Sequence, residues 1–230
     1  LILEKSSTLG LGIYTGYGQR SIDPSAGRWG TQYDGMSYDP SMATGESFDN
    51  QSFGYLDAGA GMVYTYKTDE GYMTQNIQRL FNIGFSAYHL NRPNYSFVNA
   101  ADDKLYIRYS AFANANIGIA NTRGSFLPGI YYHRQGTAQE FLWGFNYKYI
   151  LSEGSKFTGF TRPMAAYLGV FNRWKDAVVA KFIFEWDQVS AGFAYDINLS
   201  SLSDVSKARG GFEIFLRFNA GDGGGFRSRI

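Results

Sequence analysis

Hydrophobic and polar residues alternate along most of this chain with a period of two. In Gln188–Asn198 the odd positions are Val189, Ala191, Phe193, Tyr195 and Ile197; the even ones are Gln188, Ser190, Gly192, Ala194, Asp196 and Asn198. Successive side chains of a strand point to opposite faces, so this segment presents one apolar, aromatic face and one small, polar face. The same rhythm predicts strands at Thr8–Gly18, Ser52–Lys67, Leu80–His89, Lys104–Asn116, Ser125–His133, Glu140–Ile150, Ala165–Arg173, Ala177–Trp186 and Gly211–Phe218. Pro128 inside one of them implies a late start or a bulge. Between the strands, Arg20–Gln51 reads as a long polar loop and Asn91–Asn94 as a shorter one. Thr68–Gly71 and Arg134–Thr137 read as turns, and Ser200–Arg209 as a polar connection.

Two architectures use such strands. A soluble sandwich or lipocalin-like barrel buries the apolar face. A transmembrane barrel shows that face to lipid and keeps the polar face for its lumen. Strands of about 9–12 residues match a tilted membrane crossing and exceed the usual globular length of about 5–6. Arg108, Lys148, Lys181, Glu185, Asp196, Glu213 and Arg217 fall mid-strand on the polar faces, where a dry core would penalise each of them. The apolar faces end in Tyr109, Trp143, Tyr149, Trp186 and Tyr195, the amphipathic rings favoured at membrane interfaces. The expected fold class is therefore all-β: a transmembrane antiparallel β-barrel of the outer-membrane type, with about ten strands in this chain.

Composition agrees with that choice. Aromatic residues make up 18% of the 230, glycines number 28 and prolines only 5, which suits strands and leaves little for long helices. The mean hydropathy of −0.27 is no objection, because only alternate residues of a barrel strand meet lipid. No apolar run approaches the ~18 residues of a spanning helix. With 21 basic and 20 acidic residues there is no cationic excess to hold nucleic acid. Cys is absent, which removes disulfides and thiolate metal sites. No composition shift divides the chain, so residues 1–230 read as a single barrel domain. The start at Leu1, with no basic n-region or cleavage site, reads as a barrel lacking its signal peptide and N-terminal strands.

Little in the chain points to catalysis. His89 and His133 lie far apart near strand ends, too dispersed for a metal centre. Asp102 and Asp103 read as a solvated turn without regular calcium-loop spacing, and Glu153 and Asp187 fall at turns. The glycines of Gly10–Gly16 lie on one strand face, not at a strand-to-helix turn, so they make no phosphate loop. No catalytic residue, cofactor or metal is expected. The pairs Lys181/Glu185 and Glu213/Arg217 each lie four apart on a strand and share a face; with Arg108 and Asp196 they form a candidate lumenal charge ladder. Arg173 ends one strand and Asp176 begins the next, so Arg173 is expected to hold that hairpin through Asp176 or Asp196. The candidate structural network is thus Arg108, Arg173, Asp176, Lys181, Glu185, Asp196, Glu213 and Arg217.

Three segments carry a family resemblance: Asn82–Asn94, Gly169–Val179, and Gly192–Leu202 with Gly210–Ile214 behind it. In this order and spacing the chain resembles the PorP/SprF family, outer-membrane proteins of the type IX secretion and gliding machinery of Bacteroidota. The resemblance implies the later part of a barrel of ~12–16 strands in the outer membrane of a Gram-negative bacterium, with no enzymatic activity. It implies as partners a secreted cargo protein with a C-terminal sorting domain, such as an adhesin, or other secretion-apparatus proteins, together with outer-membrane lipid. The alternative reading is a passive channel for small solutes.

Overall fold

A computed structural model describes residues 2–4, 6–46, 51–68, 79–97, 103–154, 162–200, 207 and 209–219. Among them are eleven strands: β1 (Ile2–Glu4), β2 (Ser7–Ser21), β3 (Ser52–Lys67), β4 (Arg79–Tyr88), β5 (Arg108–Gly118), β6 (Gly124–Gln135), β7 (Ala138–Ser152), β8 (Met164–Arg173), β9 (Ala177–Trp186), β10 (Val189–Asn198) and β11 (Arg209–Phe218). They follow one another in sequence order through a single sheet. The ten long strands are those the alternation predicts; only the three-residue β1 is additional.

The two faces differ as the pattern requires. Along β10, Val189, Ala191, Phe193, Tyr195 and Ile197 are exposed while the residues between them are buried or half-buried. Phe193 opposes Phe182 on β9 and Ile214 on β11, so the apolar face continues from strand to strand. Phe193 is 47% exposed, Leu168 63% and Trp186 57%, so the face is a continuous exposed apolar surface of the kind that marks an interaction site. Small residues let the strands approach on the polar side. A Cβ on Gly144 would lie 2.2 Å from the Val170 carbonyl oxygen and 2.5 Å from the Phe171 Cα.

The structure amends several boundaries. Pro128 sits mid-strand opposite Phe145 and the β6–β7 register runs through it unbroken, so it brings neither a late start nor a bulge there. The fifth strand opens at Arg108, not Lys104. Lys104 instead bridges Asn94, and the Tyr95 and Leu105 amides donate to the Asp103 and Pro93 carbonyls, which folds this stretch on itself before the strand begins. The predicted turn at Thr68–Gly71 and the connection at Ser200–Arg209 lie largely outside the described residues, and Arg209 already belongs to β11.

Contacts divide the chain into two compact units. The first comprises Leu1–Leu11, Met62–Phe85 and Ser110–Ile230 and holds most of the strand wall. A polar chain crosses its β3, β4 and β5: Thr65 Oγ1 donates to Asn82 Oδ1 at 2.8 Å, and Asn82 Nδ2 donates to Asn114 Oδ1 at 3.0 Å. His133 Nδ1 pairs with Ser110 Oγ at 2.9 Å.

The second unit comprises Gly12–Gly61 and Ser86–Tyr109, and it is ordered by side chains acting on backbone. Asn91 donates from Nδ2 to the Leu56 carbonyl and accepts the Ala58 amide at Oδ1, while His89 Nδ1 meets the buried Asp57 at 2.9 Å. Arg20 lies 4.2 Å over the Tyr95 ring, which packs edge-on to Tyr55. In the long loop Gln32, 4% exposed, donates to the Met42 carbonyl and accepts the Trp29 amide. Asp34 Oδ1 accepts the Met36 and Ser37 amides at 2.8 and 2.7 Å; these bonds hold its carboxyl below the usual carboxylate range, the Ser37 bond contributing most.

Candidate functional site: a charged rim on the polar face

Among the described residues the polar face of β7–β11 carries a cluster of charges around Arg173, and the antiparallel register explains its placement. Arg173 ends β8 opposite Leu142 on β7 and the small, buried Ala177 on β9. The following turn is tight: Lys175 takes a left-handed conformation at φ 61°, and the Asp176 amide donates to the Arg173 carbonyl at 3.0 Å. That turn brings the Asp176 carboxylate back onto its own hairpin. Across Ala177 stands Asn198, and two residues earlier on the same face is Asp196.

The guanidinium gathers all three acids within reach. Arg173 Nη1 lies 3.2 Å from Asp176 Oδ2 and 3.1 Å from Asp196 Oδ2, and Nε lies 3.6 Å from Glu140 Oε1. Sequence reasoning named the first two acids and missed Glu140. Its signal was parity: Glu140 precedes Leu142 by two, so it shares the face on which Leu142 opposes Arg173. The Asp176 carbonyl also accepts the Leu199 and Ser200 amides at 2.7 and 3.0 Å, so the same turn anchors the chain leaving β10.

The rest of the candidate ladder is arranged differently. Lys181 and Glu185 share a face, but four strand residues span about 13 Å, beyond ion-pair reach. Glu185 accepts the Tyr167 hydroxyl, and Lys181 lies with Nζ 4.2 Å over the Phe171 ring. The ordered opposition of charge runs across strands instead. Lys181, Ala194 and Glu213 form one row, and Glu185, Ser190 and Arg217 another. No ion pair joins Lys181, Glu213 or Arg217 to another described residue. Arg108 is not mid-strand: it opens β5, exposed, and belongs to the second unit. Beside Lys181, the side-chain oxygen of Asn146 is buried without a hydrogen-bond partner.

One guanidinium thus joins residues of β7, the β8–β9 turn and β10. Each carboxylate at the rim is committed to one shared cation, and among the described residues no group of three or more His, Asp or Glu is placed to hold a metal ion. His89 and His133 each serve a single local partner.

The family model described as "Type IX secretion system membrane protein PorP/SprF" matches residues 1–218. The chain belongs to the PorP/SprF family. It is a membrane component of the type IX secretion system, and its strands are of the outer-membrane barrel type. No curated protein and no solved structure matches it. In outer-membrane barrels, strands of this kind turn an apolar face to lipid and a polar face to the lumen.

Proposed function

We propose that this protein is a non-enzymatic outer-membrane barrel that partners the secretion and surface anchoring of a cargo protein, or links the membrane to the periplasmic apparatus. The observation that carries this reading is the exposed apolar face shared by β7–β11; the second unit adds an internal order of its own. A wall of that kind suits lipid, and a loop region tied at Gln32, Asp34, Asn91 and Tyr95 offers a preformed protein-binding surface. In this reading residues 1–230 act as one barrel domain and the Arg173 network is architectural.

The test is affinity purification of the protein from native outer membranes after mild extraction. Stoichiometric retention of a secreted cargo with a sorting domain, or of apparatus proteins, is the expected result. The passive-channel alternative predicts instead a protein that purifies alone and passes small solutes through planar bilayers.

A further inference from the structure

The β6–β7 and β8–β9 turns stand side by side at one end of the wall, and they sort their charges between its two faces. Glu140, Asp176 and Asp196 are drawn to Arg173 on the polar face. On the apolar face, Arg134 stands opposite Gln139, and one row deeper Tyr132 stands opposite Phe141. The Trp174 amide donates to the Phe141 carbonyl at 2.8 Å, which extends the deeper row to a third ring. Tyr132, Gln139, Phe141, Trp174 and Lys175 line a cleft of about 390 Å³. Trp174 is 59% exposed, and Lys175 is fixed at the tip of its turn by its left-handed backbone. The side chain of Arg134 folds over its own β6–β7 turn, Nε donating to the Gly136 carbonyl at 3.4 Å.

Two cations therefore crown three aromatic rings at the edge of an apolar face, and the two turns contribute no carboxylate to that face. We propose that this cleft binds the headgroup of an anionic, phosphate-bearing membrane lipid, the phosphate meeting Lys175 and Arg134 and the acyl chains running down over Trp143 and Phe145. Guanidinium and ammonium groups are the side chains that pair with phosphate, and aromatic rings are at home where headgroup meets hydrocarbon. Charge complementarity decides the occupant: a zwitterionic lipid brings its own cation to compete for its phosphate, and an apolar protein segment would desolvate both side chains. The proposal rests on the membrane reading above and adds to it a defined lipid site.

The experiment places the full chain in nanodiscs of phosphatidylcholine containing a minor share of phosphatidylglycerol and counts the lipids that stay bound by native mass spectrometry. Phosphatidylglycerol is expected to be retained roughly twenty-five-fold above its bulk share, since each of the two surface cations near anionic lipid contributes about a factor of five. Arg134→Gln with Lys175→Asn, Asn being tolerant of the left-handed conformation, should abolish the enrichment. Lys148→Gln, on the polar face, should leave it intact. Each single change provides the reading if the double variant assembles poorly, with partial loss expected. Equal enrichment in parent and variants overturns the proposal, and so does displacement of the bound lipid by inorganic phosphate alone, which would mark a free-anion site. Failure of the parent to enter any bilayer removes the membrane reading itself, an outcome distinct from entry without lipid selectivity.

Discussion

The wall of β7–β10 and the loop between β2 and β3 are both ordered, by opposite means. In the wall each strand is paired on both sides for eight residues or more, and identity matters mainly through parity: apolar on one face, small or polar on the other. In the loop there is almost no pairing beyond the Tyr33–Tyr38 bridge, and single side chains replace the ladder. Asp23, Asp34 and Asp39 each accept an amide two or three residues ahead, and Thr31 Oγ1 donates to the Thr44 carbonyl. The wall's order is collective and sided by its solvents. The loop's order is a set of local bonds between single side chains and nearby backbone.

The contrast is tested hardest by reversing one parity. Phe193→Arg places a charge on the exposed apolar face and should cost about 2–4 kcal/mol if that face lies near the bilayer midplane. Lys148→Gln on the other face should stay within about 0.5 kcal/mol. Reversible urea unfolding in lipid vesicles measures both, and comparable small losses would refute the assignment of faces.

A smaller effect is expected at the junction of wall and turn. Arg173→Ala leaves Glu140, Asp176 and Asp196 facing one another at a wet rim and should cost about 1 kcal/mol, with the loss eased by salt. Heat-modifiable gel mobility of the folded barrel reads assembly. A variant that assembles fully but releases its partner would turn this rim from an architectural feature into a recognition site.

The smallest effect belongs to the loop and is one of pH. The Asp34 carboxyl is held low by the Ser37 and Met36 amides, Asp23 by Ser25 and Asp39 by Ser41. A carboxyl lowered in the folded state adds stability above its unfolded pKa, and that contribution is lost only as pH falls through the lower, folded value. Carboxyl resonances of these three residues should therefore titrate below the ordinary aspartate range while the wall's amide spectrum stays unchanged. Ordinary midpoints would show that the Asx turns do not hold in solution.

Much of the wall was legible before any fold was known. Ser52–Lys67 and Ala177–Trp186 begin and end where the alternation says, because parity is a local property that a residue shares with its immediate neighbours. The hairpin acid Asp176 was legible for the same reason, lying three residues from Arg173 across a tight turn. Arg108 was misplaced because alternation continues into a stretch, Leu105–Ile107, that pairs locally before the strand opens. Pro128 was overread because the cost of a missing amide depends on which neighbour that amide would have faced.

Parity along the chain thus determined by itself the all-β class, the place of each long strand and the face on which its residues lie. Register decided the rest. It set Glu140 beside Arg173, Lys181 in line with Glu213 across Ala194, and Trp174 beside Phe141 below Lys175, pairings that join residues up to tens of positions apart. Sliding one strand by two residues keeps every side chain on its face and changes every partner, so alternation cannot encode these meetings. Turn geometry and close packing of the strands do.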